Sequence, residues 1–470
     1  VLGGRRLTRC RIWERRAWLV GLPVAAFSWL WFVQDCVPPP GGLGRVPWVL
    51  YYTRSSGYFW QARYDVQDTA SFLAGYEELL AEQRDYLHLG THPPGLTVCF
   101  RGLLKMCESS EWLTHWVLRS RPTSVAAATS TIARHAMTDG RAFTQVDSAV
   151  LWLAALLAMS AAALTSSALY ALIRQEAEPH VAWVVAALWP LVPAVAVFLP
   201  KSDAVFPLLA VGGAAAWQNA WVQRSLGRGL VAGLLLWLGM MLSAAFLVVI
   251  LLLFVATTLD RRIPWRTADV ARPLGGLILG LLVPSMGIGL GWGINLLNVW
   301  RWNLANHALF YEHNVRTPWR WALTNPVELG LAVGLPVAFL GVVGLVELSR
   351  RQSGRGLGGR RPMTLAYVIV WTLLWLSGKN MGEAARLWLF LMPGVLLAAE
   401  PAVSGLCRQR RPGRAADGVP GPIPVLLMGQ LLVCLLTVFR IDGFHFTELL
   451  SPVVVESSAG EPFAGSSIAK

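Results

Sequence analysis

Long apolar runs alternate along the chain with short polar stretches, most of them basic. A helix needs about 20 apolar residues to cross a bilayer, fewer where neighbours shield its ends. Residues 17–33 form a first predicted span. Others follow at 148–172, 181–199, 204–222, 273–297, 326–347, 365–376, 387–403 and 422–439. The run 230–259 is basic at both flanks. One straight helix would carry one of those flanks outside, whereas Lys and Arg resist translocation. Two short helices turning near Leu242-Ser243-Ala244 keep both flanks cytoplasmic, and the hairpin is the better reading. The expected fold is an all-α membrane protein of about eleven transmembrane helices.

Residues 34–145 hold no run apolar enough to span. Between Gln34 and Gly95 lie seven acids against four arginines, which places this long first loop outside. Phe72, Tyr76, Leu79 and Leu80 recur at helical spacing, with Glu77, Glu78 and Glu82 on other faces. A second segment from Pro94 to Cys107 sets Leu96, Phe100, Leu103 and Leu104 against Arg101 and Lys105. Both read as interfacial amphipathic helices within the external loop. The organisation expected is a basic cytoplasmic N-terminus (1–16), a polytopic membrane domain (17–439) and a short external tail (440–470). The first span reads as an uncleaved anchor rather than a signal peptide, because Gln34-Asp35-Cys36-Val37-Pro38 lacks a small-x-small site. An opening Val1 points to an alternative start codon or a fragment.

Composition agrees. Of 470 residues 55% are apolar and only 14% charged, with a mean hydropathy of +0.49. That excludes a soluble enzyme, a disulfide scaffold and a disordered chain. The net charge of +13 does not mark a nucleic-acid binder. Of the 40 cations, 22 sit in six short segments that set orientation in a membrane. The location expected is a bacterial inner (plasma) membrane with a cytoplasmic N-terminus, and the 36 Arg against 4 Lys fit GC-rich codon usage. Six scattered cysteines with no CxxC offer no metal site, and the reading is of small buried hydrophobes. No Walker loop or Gly-x-Gly-x-x-Gly follows a strand, so no nucleotide cofactor is expected.

Candidate chemistry gathers on the external face, in residues 34–145, 200–203, 300–325 and 377–386. Tryptophans crowd these edges, Trp48, Trp60, Trp112, Trp116, Trp300, Trp302, Trp319 and Trp321, as headgroup anchors or as platforms for a sugar. Asp68 fits the N-cap of the first surface helix. Asp65 has no capping duty and suits a general base for a bound hydroxyl, against the plainer reading of a solvated loop acid. His88 and His92 have i, i+4 spacing, but Gly90, Pro93 and Pro94 disfavour a helical metal pair.

An acid soon after the first span, a surface helix, a His92-Pro93-Pro94 turn and a second surface helix resemble the C-type membrane glycosyltransferases. The pattern is similar to that of the protein O-mannosyltransferase and aminoarabinose transferase group. Pro200-Lys201-Ser202-Asp203 resembles the Pro-Ser-x-Asp that opens a span in that group. Gly382-Glu383-Ala384-Ala385-Arg386 resembles a late external Gly-Glu-x-x-Arg. The resemblance covers the chain to about residue 403. It implies transfer of a sugar from a polyprenyl-phosphate donor to an external acceptor, a protein, lipid or glycan.

On this resemblance Asp65 matches the acid that activates the acceptor hydroxyl, and His92 the turn shaping the site. Two departures stand out. Asp65-x-x-Asp68 replaces a tandem Asp-Glu, leaving the base open between the two. The hairpin turn holds Leu242-Ser243-Ala244 where many relatives place a Lys.

The leaving phosphate then needs another cation, because negative charge accumulates there during displacement. Candidates are Arg386, Lys379, Arg301, Arg316 and Lys201. Arg386 ranks first, with Glu383 one turn away to fix its guanidinium; a purely structural ion pair is the rival reading. Lys201 and Asp203 stand as a further pair, and His307, Glu312, His313 and Arg316 form a polar stretch facing an acceptor or simply water. Without an Asp-x-Asp in the first loop, no obligatory metal is expected. Two rivals remain: a transporter or flippase of lipid-linked saccharides, and a non-catalytic protein on the same fold. No duplicated half and no mid-membrane polar residues favour transport.

Overall fold

The computed structural model describes residues 12–38, 41–83, 85, 88–260, 267–352, 361–378, 381–408, 421–441 and 444. These residues are helical throughout, with no strand among them. Five helices are long and apolar enough to cross a membrane: Arg16–Asp35, Gln145–Ile173, Asp269–Trp292, Leu389–Arg408 and Pro422–Arg440. Shorter apolar helices cover Pro179–Leu191, Leu226–Leu242, Phe246–Leu259 and Pro362–Leu376. The chain is an integral membrane protein.

Two runs expected as single spans are broken. Residues 181–199 divide into Pro179–Ala187, a 3-10 turn at Trp189–Leu191, and Pro193–Val197. Pro190 and Pro193 have no N–H to donate and interrupt the ladder. The carbonyls freed there are met by distant side chains, as an apolar medium demands. Trp29 donates to Pro190, Gln430 to Leu191, Gln34 to Ala196 and Arg45 to Val197. The run 326–347 lies in two helices, Pro318–Val333 and Leu335–Gln352, bent by 111°. Gly334 adopts φ +95° at the bend, and the Gln430 side chain fills the space where a Cβ would project.

The expected break near Ser243 is present, between Leu226–Leu242 and Phe246–Leu259. Trp217, near the end of Phe206–Gln223, donates to Thr257. The second helix therefore returns to the end where the first began. Leu226–Leu242 also packs backbone to backbone on Thr267–Trp292, through Gly229 and Gly233 on one side and Gly276 and Gly280 on the other. Small residues four apart allow that approach.

The segment after the first long helix is a stack of short helices. Gly42–Tyr51 and Gly95–Ser109 pack on Gln145–Ile173, whose N-terminus is closed by a Thr144–Asp147 capping box. Asp147, fully buried, also takes Arg63 at 2.6 Å. The first surface helix is broken at Gly75 into Thr69–Ala74 and Tyr76–Gln83. Asp68 caps it as expected, accepting from the Ser71 amide at 2.7 Å. Residues 303–313, expected as a loop, belong to the helix Leu296–His313.

Candidate functional site

Three segments remote in sequence meet above the broken helix: the His88–Pro94 turn, Lys201–Asp203, and the Glu383–Arg386 turn. Each is locked by backbone contacts. The Asp85 carboxylate accepts from the amides of Leu89 and Gly90. Asn303 donates to the carbonyls of Gly90 and His92, Asn306 to Gly90 and Leu80, and Tyr76 to His92 at 2.9 Å. On the other side Arg316 donates to the Met381 carbonyl, while Tyr311 and Glu328 accept from the amides of Met381 and Ala385. Gly382 sits at φ +84° with the Arg316 guanidinium against it, so only glycine fits. Arg316 also stacks on Phe310 and Trp321, each 5.2 Å away.

Within this frame the charges act on one another. Lys201 is only 5% exposed; burial, reinforced by Arg386 and opposed by Asp203 and Glu383, lowers its ammonium to about 7. His92 is lowered to about 4, chiefly by burial, with Asp203 opposing and Lys201 and Arg386 assisting. It is therefore neutral at physiological pH. His88 lies well below the ordinary imidazole range for the same reasons. The His92 Nδ1 lies 3.0 Å from the His88 carbonyl, which can only accept, so Nδ1 carries the proton and Nε2 keeps a lone pair. The Tyr58 ring meets His92 edge-on at 5.8 Å, and burial followed by the Asp203 charge raises its phenol. Arg386 pairs with Glu383 at 2.6 Å, the arginine largely covered and the glutamate half exposed.

His92, Lys201, Asp203, Glu383 and Arg386 are thus brought together, with Arg316 bracing the turn beside them. Asp65 and Asp68 lie along another edge. Asp65 ends the π-helix Gln61–Asp65, seven residues and about 10 Å of helical rise beyond Tyr58. It is exposed, its carboxyl raised by partial desolvation and held back by Arg141. Arg141 stacks on Trp60 at 4.9 Å, beside Tyr64. Asp68 is committed to Ser71, whose amide and hydroxyl lower its carboxyl. Arg301 is exposed on its helix, Glu312 and His313 are exposed, and His307 packs on Tyr311. Lys379 lies outside the described residues. Among the described residues no three His, Cys, Asp or Glu side chains are grouped to hold a metal.

Sequence reading missed Tyr58, Asp85, Asn303 and Arg45. Only Asp85, four residues before Leu89, carried a local signal, since turn residues often cap amides that way. An apolar cavity of about 250 Å³ opens between the two arms of the bent helix and the Pro362–Leu376 and Pro393–Arg408 helices. Tyr367 and Trp371 line it, and Val342, 62% exposed, sits at its edge.

No known family matches the chain, and no curated protein is similar to it.

Proposed function

We propose that this protein is a membrane glycosyltransferase of about eleven spans that uses a polyprenyl-phosphate sugar donor. The convergence of Lys201 and Arg386 beside the His92 turn is the observation that carries the reading; it is supported by an apolar cavity whose wall residue Trp371 packs on Trp388, two residues past Arg386. A lipid-linked donor has an isoprenoid tail that suits the cavity and a phosphate that suits the cations. The acceptor oxygen attacks the anomeric carbon from the face opposite the phosphate, its proton passing to Asp65. The bond from the anomeric carbon to the phosphate oxygen breaks, and the lipid phosphate departs with the electron pair. Lys201 and Arg386 stabilise the charge it gains.

Between the two acids, Asp65 is the better base. Its carboxyl is raised and exposed, whereas Asp68 is lowered and engaged at a helix start. The site faces the external side, and a metal takes no part in the mechanism proposed.

Asp65→Asn tests it. In purified, lipid-reconstituted protein the variant loses transfer from a polyprenyl-phosphate donor by about 10²–10⁴-fold, while its melting temperature stays close to the parent's. Unchanged transfer removes Asp65 from the mechanism. Vesicle uptake of the saccharide without covalent product replaces the transferase by a transporter.

A further inference from the structure

Toward the end of the hairpin away from Ser243, an apolar cleft and a polar niche run into one another. The cleft, about 250 Å³, lies between Phe206–Gln223, the two hairpin helices and Thr267–Trp292. Leu253, Leu274 and Leu277 line it, and Phe254, 65% exposed, stands at its edge. The niche, about 30 Å³, is lined on its polar side by Gln175, Gln218 and Asp260. Trp217, Trp221 and Thr257 line both spaces. Thr257 lies eleven residues beyond Phe246, about 16 Å of helical rise from the Ser243 turn.

The niche holds a polar atom with nothing to bond. Gln218 is 9% exposed; its Nε2 donates to Glu176 at 3.2 Å, while its Oε1 is buried without a hydrogen-bond partner. A carboxylate can only accept, so Glu176 fixes which way the amide is turned and leaves the oxygen as the orphan. Buried polar atoms are costly to leave unpaired, and an acceptor calls for a donor. Glu176 and Asp260 favour a positively charged one. A space of about 30 Å³ has room for a group the size of a water or an ammonium. The opposite charge stands at the rim, where Arg224, 58% exposed, pairs with Asp269 at 2.9 Å. Arg224 comes two residues after Val222, which lines the niche, and Asp269 directly before Val270, which lines the cleft.

We propose that cleft and niche together bind a phospholipid with a primary ammonium head, of the phosphatidylethanolamine class. One acyl chain fills the cleft, the ammonium donates to Gln218 Oε1 beside the carboxylates, and the phosphodiester lies outward by Arg224. Any lipid chain suits an apolar cleft; the buried acceptor and the two acids select the head. The inference does not rest on the transferase reading.

The test titrates the full chain, purified in mild detergent and freed of lipid, with three phospholipids of identical chains, read by native mass spectrometry. Phosphatidylethanolamine binds about ten-fold or more tightly than phosphatidylcholine, the scale of a hydrogen bond to a charged group. Phosphatidylcholine keeps the phosphate and chains but has no N–H to donate. Phosphatidylglycerol, with hydroxyls and a net negative charge, binds as weakly. Gln218→Leu brings phosphatidylethanolamine down to the level of phosphatidylcholine and leaves phosphatidylcholine unchanged. Leu274→Trp, which fills the cleft, weakens both. Equal binding of the ethanolamine and choline lipids overturns the proposal, as does a preference for phosphatidylglycerol or an undiminished ethanolamine preference in Gln218→Leu. Should a variant fail to fold, the parent's selectivity among the three lipids decides alone. None of these readouts requires sugar transfer.

Discussion

The Lys201 edge and the Asp65 edge of the site are built in opposite ways. Around Lys201, itself buried, the charged and polar groups come from three separate stretches of chain, and the His92 and Glu383–Arg386 turns are pinned through backbone amides or carbonyls. Around Asp65 the polar groups are exposed and local, lying within one short helix and the Arg141 loop it touches. Burial makes a charge costly and its partners decisive, whereas an exposed acid interacts weakly with whatever approaches. On the transferase proposed above, the first edge would recognise an anion and the second would take the acceptor's proton.

The contrast breaks first at Lys201. Lys201→Gln lowers transfer by about 10²–10³-fold, the scale of removing one donor from a transition-state anion; a loss under ten-fold would make the buried edge structural. Its titration sharpens the same point. With the ammonium at about 7 in the folded protein, donor kcat/KM falls as pH rises through that value. The protein itself gains stability between about 7 and the ordinary lysine value near 10.5, because only the unfolded chain binds that proton there. A bound phosphate holds the proton longer, so kcat declines at higher pH than kcat/KM. Lys201→Arg abolishes the decline of kcat/KM.

Gly382→Ala destabilises the turn by about 1–3 kcal/mol, read as a lower melting temperature with weaker donor binding, because φ +84° and the Arg316 guanidinium both exclude a Cβ. Smallest is Asp68→Ala on the exposed edge. It frays one short helix, with a slight fall in melting temperature and no change in transfer. Asp68 proving essential would reverse the assignment of the base.

Much of this was legible in the sequence, for physical reasons. Apolar runs mark helices because the bilayer leaves no other way to satisfy the backbone, and the N-cap at Asp68 is a local pattern. The break at Ser243 followed from charge at both flanks. What sequence reading missed depends on distant partners. Pro190 and Pro193 advertise a break, yet nothing local says that Trp29, Gln34, Arg45 and Gln430 would fill it. Gly334 two residues before Pro336 likewise hints at a bend without giving its angle. Asn303 and Asn306 looked like polar loop residues; their role depends on the turn more than 200 residues earlier. The glycine pairs at 229/233 and 276/280 were readable and went unread.

The bend at Gly334 joins two mechanical neighbourhoods. One arm carries Glu328, which grips the Ala385 amide, and runs on from the Arg316 segment; both arms wall the apolar cavity. Both hang from a single hinge wedged by Gln430, which also holds the interrupted helix leading to Lys201. A change to that one glutamine would be felt in the apolar hollow and at the charged rim alike, tying greasy and ionic parts of the protein to one shared fulcrum.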